Sequence, residues 1–403
     1  MGSAFDTFRK LGPAAFVVKA IASVIVADVL LLGFILLRRA YRKWHFANRD
    51  ARMFSIRQQW DALISGEIPF TAWRTKASER ELIETMVLDA FEIASPDESA
   101  QLLKFMRISG LVERRISEAR QHHGWRRHKA LVALARTRAP EGIPALAEGL
   151  RDRDSETRLA ALRGLGRMAC PEGAREILNW VDEVGLAVPA LPLQSALVQT
   201  CAERPQVLLP HLRHTDNTVR EVLGRVLGEV ATPSLGSDLL QFADDNLPEL
   251  RAAAARGLAY LSPSTAVVVL GDLAKDPVWF VRLRAIVSLG ELCHNTAIPF
   301  LLHGLTDSNR LVRLRAAEGL VDFKRDLLQI FQTIVELKDQ YGFHAFVTAL
   351  DNAGLQAQLI AEIHSKVSKE TGKNLLDILR TVKLTSEPPA SEKNVLAKAA
   401  SQP

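Results

Sequence analysis

The sequence predicts an all-α fold, an α-solenoid of short helical repeats preceded by a single transmembrane helix. Three observations predict it. An arginine recurs every 31 positions, at Arg127, Arg158, Arg220, Arg251, Arg282 and Arg313, with Pro189 standing where one is missed, so seven registers run along the chain. Apolar columns keep the same step. Residues 14–37 form one long apolar run near the N-terminus. A fixed period of this size marks stacked helical units.

Within each unit the columns define two helices. Three residues after the arginine stand Ala130, Ala161, Leu223, Ala254, Ala285 and Ala316, and seven after it Leu134, Leu165, Leu227, Leu258, Leu289 and Leu320. Such offsets share one face of a helix. A second helix repeats Leu146, Ile177, Leu208, Leu239, Leu270 and Leu301, and four residues on Leu150, Val181, Leu212 and Leu305. The Pro189 unit keeps these columns and is expected to be degenerate only in its first helix. In the turns Ala139-Pro140-Glu141-Gly142 and Cys170-Pro171-Glu172-Gly173, proline opens the new helix, where its missing N–H costs nothing.

Six residues before the arginine column stand Asp152, Glu183, Asp245, Asp276 and Asp307. They are placed to cap the helix start and to meet the arginine of a neighbouring turn. Arg127, Arg158, Arg220, Arg251, Arg282 and Arg313 therefore read as a structural ladder, since a stacked array needs polar ties between its units.

The segments Asp276-Pro277-Val278-Trp279-Phe280-Val281-Arg282-Leu283-Arg284-Ala285 and Asp307-Ser308-Asn309-Arg310-Leu311-Val312-Arg313-Leu314-Arg315-Ala316-Ala317 resemble HEAT repeats. The form is the short bacterial, phycobilisome-lyase type, and the resemblance covers about half of the chain. It implies the solenoid and is nearly silent on function. Tetratricopeptide and ankyrin arrays have nearby periods, but neither the Trp-Leu-Gly-Tyr pattern nor the Thr-Pro-Leu-His turn occurs.

The run from Ala14 to Leu37 is interrupted only by Lys19 and Asp28. As a helix it is about 36 Å long, enough to cross a bilayer with some tilt. Its length, the absence of an A-x-A-like cleavage site and the immediate Arg38-Arg39 favour an uncleaved anchor over a signal peptide. Arg9 and Lys10 precede it, whereas Arg38, Arg39, Arg42, Lys43, Arg49, Arg52 and Arg57 follow it. That asymmetry places the repeats in the cytoplasm and the N-terminus outside a bacterial inner membrane. Tyr41 and Trp44 suit an interfacial belt, and Arg38, Arg39, Arg42 and Lys43 suit anionic headgroups.

Net charge is +5 over 403 residues. Eight of the 51 basic and three of the 46 acidic residues fall in the first 50 positions, so the remainder holds 43 of each. The repeats and tail are neutral together, which argues against nucleic acid. One basic run remains, Lys104, Arg107, Arg114, Arg115, Arg120, Arg126, Arg127, Lys129, Arg136 and Arg138. It lacks interleaved aromatics for stacking bases and reads as a solvated or lipid-facing surface. Cys170, Cys201 and Cys293 are scattered and read as reduced structural thiols, consistent with a cytoplasmic setting.

The expected organisation is an N-terminal flank over 1–13, the span over 14–37, and a basic linker and helical cap over 38–120. The repeats follow over 121–323, a C-terminal helical cap over 324–364, and a short amphipathic helix with a disordered tail over 365–403. In the first cap, Ser78-Glu79-Arg80-Glu81 is a capping box that opens a helix, and Ser95-Pro96-Asp97-Glu98 opens the next, which ends near Gly110. In the second cap, helices are expected over Leu327–Leu337 and Phe343–Ile363. Asn374–Leu384 is amphipathic, and the composition from Thr385 is that of a disordered segment.

No catalytic or metal constellation emerges. His211 and His214 lie three apart, and His122, His123 and His128 cluster in the basic run; both groups read as surface residues without a cysteine or acid to complete a zinc site. Deoxyhypusine hydroxylase is a HEAT-repeat enzyme with paired His-Glu motifs, and no His-Glu dipeptide occurs here. No bilin-handling cluster, Gly-rich phosphate loop or G-x-S-x-G is present. No catalytic, metal or cofactor-binding residue is therefore assigned.

The function expected is a non-catalytic, membrane-anchored scaffold whose solenoid binds a protein partner. One span, a basic segment ending in Trp60-Asp61-Ala62-Leu63-Ile64-Ser65-Gly66-Glu67, and the repeats together resemble bacterial accessory proteins of membrane polysaccharide glycosyltransferases. That resemblance implies an integral membrane glycosyltransferase as partner. Asp28, near mid-span, is the residue expected to meet it, because intramembrane acids face a partner or a polar cavity. The alternatives are a lyase- or hydroxylase-type HEAT-repeat enzyme and a nucleic-acid-binding solenoid.

Overall fold

The computed structural model describes residues 12–67 and 77–386, and among them every regular element is helical. The expected flank up to residue 11, and the expected tail from residue 387, lie outside the described residues. The chain divides into two compact units, Met1–Arg115 and Ile116–Pro403.

The first unit opens with α1, a single helix from Gly12 to Gln58. Beyond Pro13 it contains no proline, and Gly33 is its one interior glycine, so nothing stops the helix where the apolar run ends. The basic segment expected as a linker therefore continues the helix. Its apolar half has no cover within the chain: the side chains from Val17 to Leu37 are exposed. Its far end is different, for Ile56 is buried.

The helix α2 (Trp60–Ser65) stops at Gly66, whose φ of 86° only glycine adopts freely. Next comes α3 (Ala77–Phe91), which already includes Ser78, so Ser78 is not the residue that opens it. In α4 (Pro96–Ile108) the capping box forms: Ser95 Oγ accepts from the Glu98 N–H, and Glu98 Oε2 accepts from the Ser95 N–H at 2.8 Å. Those Ser95 hydrogen bonds hold the Glu98 carboxyl below its ordinary value. The division between units falls within α5 (Leu111–Gln121). Glu84 on α3 and Arg115 on α5 form a buried bidentate pair, with Nη2 2.7 Å from Oε2. The burial of Arg115 removes it from the basic surface that the sequence run predicts.

The second unit is built from helix pairs. The first helices are α6 (Trp125–Thr137), α8 (Ser155–Met168), α10 (Ala190–Cys201), α11 (Asn217–Val230), α13 (Pro248–Leu258), α15 (Trp279–Leu292) and α17 (Arg310–Val321). Their partners, in the same order, begin with α7 (Ile143–Leu150), α9 (Pro171–Val184) and a 3₁₀ stretch over Pro205–Arg213. They continue with α12 (Gly236–Leu239), α14 (Pro263–Leu273), α16 (Ile298–Leu305) and α18 (Leu327–Leu337). The stack ends in α19 (Gln340–Asn352), α20 (Gln356–Lys366) and α21 (Lys369–Ser386). Successive first helices pack directly on one another from α6 to α19.

The columns that set the period are the core. Every member of the two first-helix columns is 0% exposed, and the second-helix columns are as deeply buried. Where α15 meets α17, Gly290 and Gly319 face each other, and a Cβ on Gly290 would lie 3.1 Å from the Gly319 Cα. The side-chain atoms of larger residues would push these two helices apart.

Three expectations need correction. The Pro189 unit departs in both helices: α10 starts only after Pro189, and its second element is a 3₁₀ stretch with Pro210 inside. Pro210 cannot donate the bond an α-helix requires there, yet Leu208 and Leu212 stay buried. The expected helix over Phe343–Ile363 is broken between α19 and α20, where Gly354 takes a φ of 68°. The last helix is longer than Asn374–Leu384, since α21 includes Thr385 and Ser386.

Leu258→Ala and Leu289→Ala each delete a fully buried side chain and are expected to cost about 2–5 kcal/mol. Urea denaturation followed by far-ultraviolet circular dichroism measures the loss, and a shift below about 0.5 kcal/mol would contradict the burial.

Candidate functional site

Two arrangements of charged side chains mark the second unit, a ladder inside the stack and a groove on its first-helix layer. In the ladder, four of the six arginines reach the acid of the following repeat. Arg127 meets Asp152, Arg220 meets Asp245, Arg251 meets Asp276 and Arg282 meets Asp307, each at 2.6 Å. Arg251 and Arg282 bind both carboxylate oxygens, the stronger two-pronged geometry. The same guanidiniums donate from Nη1 to the main-chain carbonyls of Asp245 and Asp276 in their own repeats. The acids do not cap the helices. Asp245, Asp276 and Asp307 accept the N–H two residues on, closing an Asx turn, and the caps proper include Asp154, Asp216 and Asn309.

The ladder fails where the Pro189 unit interrupts it. Arg158 binds main-chain carbonyls of Asp152 and Arg153, while Glu183, its expected partner, pairs with Arg151 at 2.6 Å. At the other end, Arg313 has no following acid in register, and its guanidinium lies 5.3 Å from the Tyr341 ring centroid.

The groove has a volume of about 800 Å³. Its floor is made of small residues on successive first helices, including Gly224, Gly228, Ala252, Gly290 and Gly319. Trp279 and Phe280 stand in it edge to face, 6.0 Å apart, with Trp279 43% exposed. Its charged lining comprises Glu229, Glu249, Glu291, Glu318 and Asp322 against Arg225, Arg284 and Arg315. Arg225 is 3.4 Å from Glu249, Arg315 is 2.6 Å from Glu318, and Glu229 accepts a hydrogen bond from Gln194.

Sequence reasoning did not find this groove, although a signal exists in the register. Nine residues after each ladder position stand Arg136, Arg167, Val198, Glu229, Tyr260, Glu291 and Asp322. The column changes sign along the array, and its three acids all line the groove.

The residues expected to meet a membrane or a membrane partner belong to the first unit. Asp28, Arg38, Arg39, Arg42 and Lys43 are all exposed along α1 in the first unit. His211, expected to lack an acid, has its Nδ1 2.6 Å from Asp182 Oδ2 across neighbouring second helices, and His214 Nδ1 accepts from the Asp216 N–H. Among the described residues no three His, Cys, Asp or Glu side chains converge as a metal set. All three cysteines are free thiols; burial pushes the Cys201 thiol up to about 11, whereas Cys293 is exposed at a helix end.

A family model described as PBS lyase HEAT-like repeat matches residues 126–152, and one described as HEAT repeats matches residues 236–321. No curated protein matches the chain by sequence. Among solved structures, importin beta is 13% identical over 81% of this chain and 52% of its own, with a TM-score of 0.43. The E. coli protein YibA is 17% identical over 74% and 96%, with a TM-score of 0.33. Human deoxyhypusine hydroxylase is 18% identical over 75% and 96%, with a TM-score of 0.25.

The ladder makes stability depend on pH. Burial raises the Asp307 carboxyl, but the Arg282 hydrogen bond and the Asn309 N–H outweigh it and leave the group below its ordinary value. A depressed carboxyl contributes stability that is fully present above its unfolded value of about 3.9 and is lost as pH falls through the lowered folded value. The urea midpoint is therefore expected to hold from neutral pH to about pH 5 and then to fall. Asp307→Asn should lower the midpoint at neutral pH and flatten the acid limb; an unchanged acid limb would mean that other carboxyls carry it.

Proposed function

The chain is a HEAT-repeat protein, and from that premise we propose that it is a membrane-anchored, non-catalytic scaffold whose repeats bind a protein partner at the cytoplasmic face. One observation carries this reading. The apolar half of α1 has a mean hydropathy of 2.7 over its most apolar window, and none of that window is buried within the chain. Exposing that much hydrocarbon to water is costly at roughly 25 cal/mol per Å², and a bilayer removes the cost.

The continuity of α1 supports an anchor over a removable signal sequence. The helix that carries the apolar run continues to Gln58, and Ile56 near its end is buried in the first unit, so the proposed anchor and the fold share one element. Arg38, Arg39, Arg42 and Lys43 fall within about 9 Å of the end of the run, close enough to reach anionic headgroups. The excess of basic residues after the run supports a cytoplasmic body.

The partner we propose is an integral membrane protein, a polysaccharide glycosyltransferase. Asp28 would meet a basic or hydrogen-bonding group of that partner inside the bilayer. A lone charge at mid-span costs about 2.5–3.5 kcal/mol on insertion scales. Lys19 is about 13 Å away along the helix, too far to offset that cost directly.

Three experiments test the reading. The full chain is expected to stay in the membrane pellet after alkaline carbonate extraction, and a phosphatase fused after Pro403 is expected to be inactive. Release into the supernatant would remove the anchor, and phosphatase activity would reverse the orientation. Asp28→Leu is expected to insert as well as the parent and to lose the partner during co-purification in mild detergent. Undiminished co-purification would assign recognition wholly to the repeats.

A further inference from the structure

We propose that the groove on the first-helix layer takes a lysine- and arginine-rich cytoplasmic loop of an integral membrane partner, with one apolar side chain of that loop seated against Trp279 and Phe280. The membrane origin of the loop rests on the anchored-scaffold reading. Its chemistry rests on the groove alone.

The charges decide the sign of the ligand. Arg225 and Arg315 are engaged by Glu249 and Glu318, and Arg225 also lies 3.8 Å from Glu221. Glu229 receives only the neutral amide of Gln194, at 2.5 Å. Among the described residues Glu291, Asp322 and Arg284 have no side-chain partner. Three acids thus face one base without compensation, and phosphate-bearing ligands, lipid headgroups and nucleic acids are repelled from such a surface. A cationic segment is attracted, and its ammonium and guanidinium groups would supply the missing counter-charges.

The floor and the aromatic pair decide the rest. Small residues leave the volume open, so no large side chain must move before a ligand enters. The half-exposed Trp279 indole beside Phe280 offers an apolar seat for one side chain, and tryptophan is the residue most often found carrying an interface. Cytoplasmic loops of membrane proteins carry an excess of lysine and arginine next to apolar segments. That combination matches the groove in sign and in its need for an apolar anchor.

The test uses the full chain in a non-ionic detergent and a short fluorescein-labelled peptide of lysine, arginine and leucine with one tryptophan. A counterpart carrying glutamate at every basic position is the control, and fluorescence anisotropy reads the affinity. The basic peptide is expected to bind at least about tenfold more tightly than the acidic one. Trp279→Ala is expected to weaken it about tenfold. The combined Glu229→Lys, Glu291→Lys and Asp322→Lys variant is expected to lose binding, and it controls for peptide taken up by micelles.

Arg284→Glu keeps the proposal falsifiable even if that triple variant folds poorly. It adds to the acidic surplus and is expected to tighten binding about two- to fivefold. Equal affinity for the two peptides, parental binding by the triple variant, or weaker binding by Arg284→Glu overturns the proposal. Because the assay needs no membrane, a groove that fails in a chain retained by the membrane pellet overturns this inference alone. A chain that binds the basic peptide but leaves the pellet overturns the loop's membrane origin.

Discussion

Two ladder guanidiniums bind in two directions at once, to carbonyls of the turn that opens their own repeat and to the carboxylate that opens the next. Arg251 and Arg282 show the full pattern, reaching back to the Asp245 and Asp276 carbonyls and forward to the Asp276 and Asp307 carboxylates. Asp276 therefore belongs to two repeats: its carbonyl serves Arg282 and its carboxylate serves Arg251. The half-buried pairs fix the rise from one repeat to the next. Apolar columns alone resist separation of the helices but constrain sliding only weakly, because dispersion has little direction.

With the first helices held in register, their small residues can meet. Gly290 against Gly319 and Gly224 against Glu249 allow close approach, and the same positions leave the groove floor bare. One set of residues thus serves packing on one side and access on the other. The repeats on either side of Pro189 show what happens when the tie is absent. Arg158 retains only carbonyl partners and Glu183 turns to Arg151, while Pro210 separately holds the second element as a 3₁₀ stretch. The apolar columns still close over this unit, so the array continues through it.

The chemistry of the chain is divided between its two units. In the first, α1 carries an unbroken helix from an uncovered apolar run to a buried Ile56, and the Glu84–Arg115 pair ties α3 to α5. In the second, the ladder is internal and the groove faces solvent. Among the described residues, the first unit leaves an apolar surface uncovered and the second an anionic one.

The sequence by itself determined the period, the buried columns, the two-helix unit, the acids placed six residues before five of the seven register positions, and the apolar run. All of these are local or repeat at a fixed step, and helical geometry converts such spacing directly into a face and a neighbour. It did not determine which acid each arginine meets, for Arg158 and Glu183 have the right spacing and stay apart, nor that Arg115 leaves the basic run for a buried place beside Glu84. It did not disclose the groove, which draws Arg225, Glu249, Trp279, Glu291 and Asp322 from four successive repeats. The sign change of the column holding Glu229, Glu291 and Asp322 is written in the register, but only the tertiary structure decides that this column faces an open floor. Exposure is a property of the whole stack: it depends on how closely neighbouring helices approach, and no single repeat contains that distance.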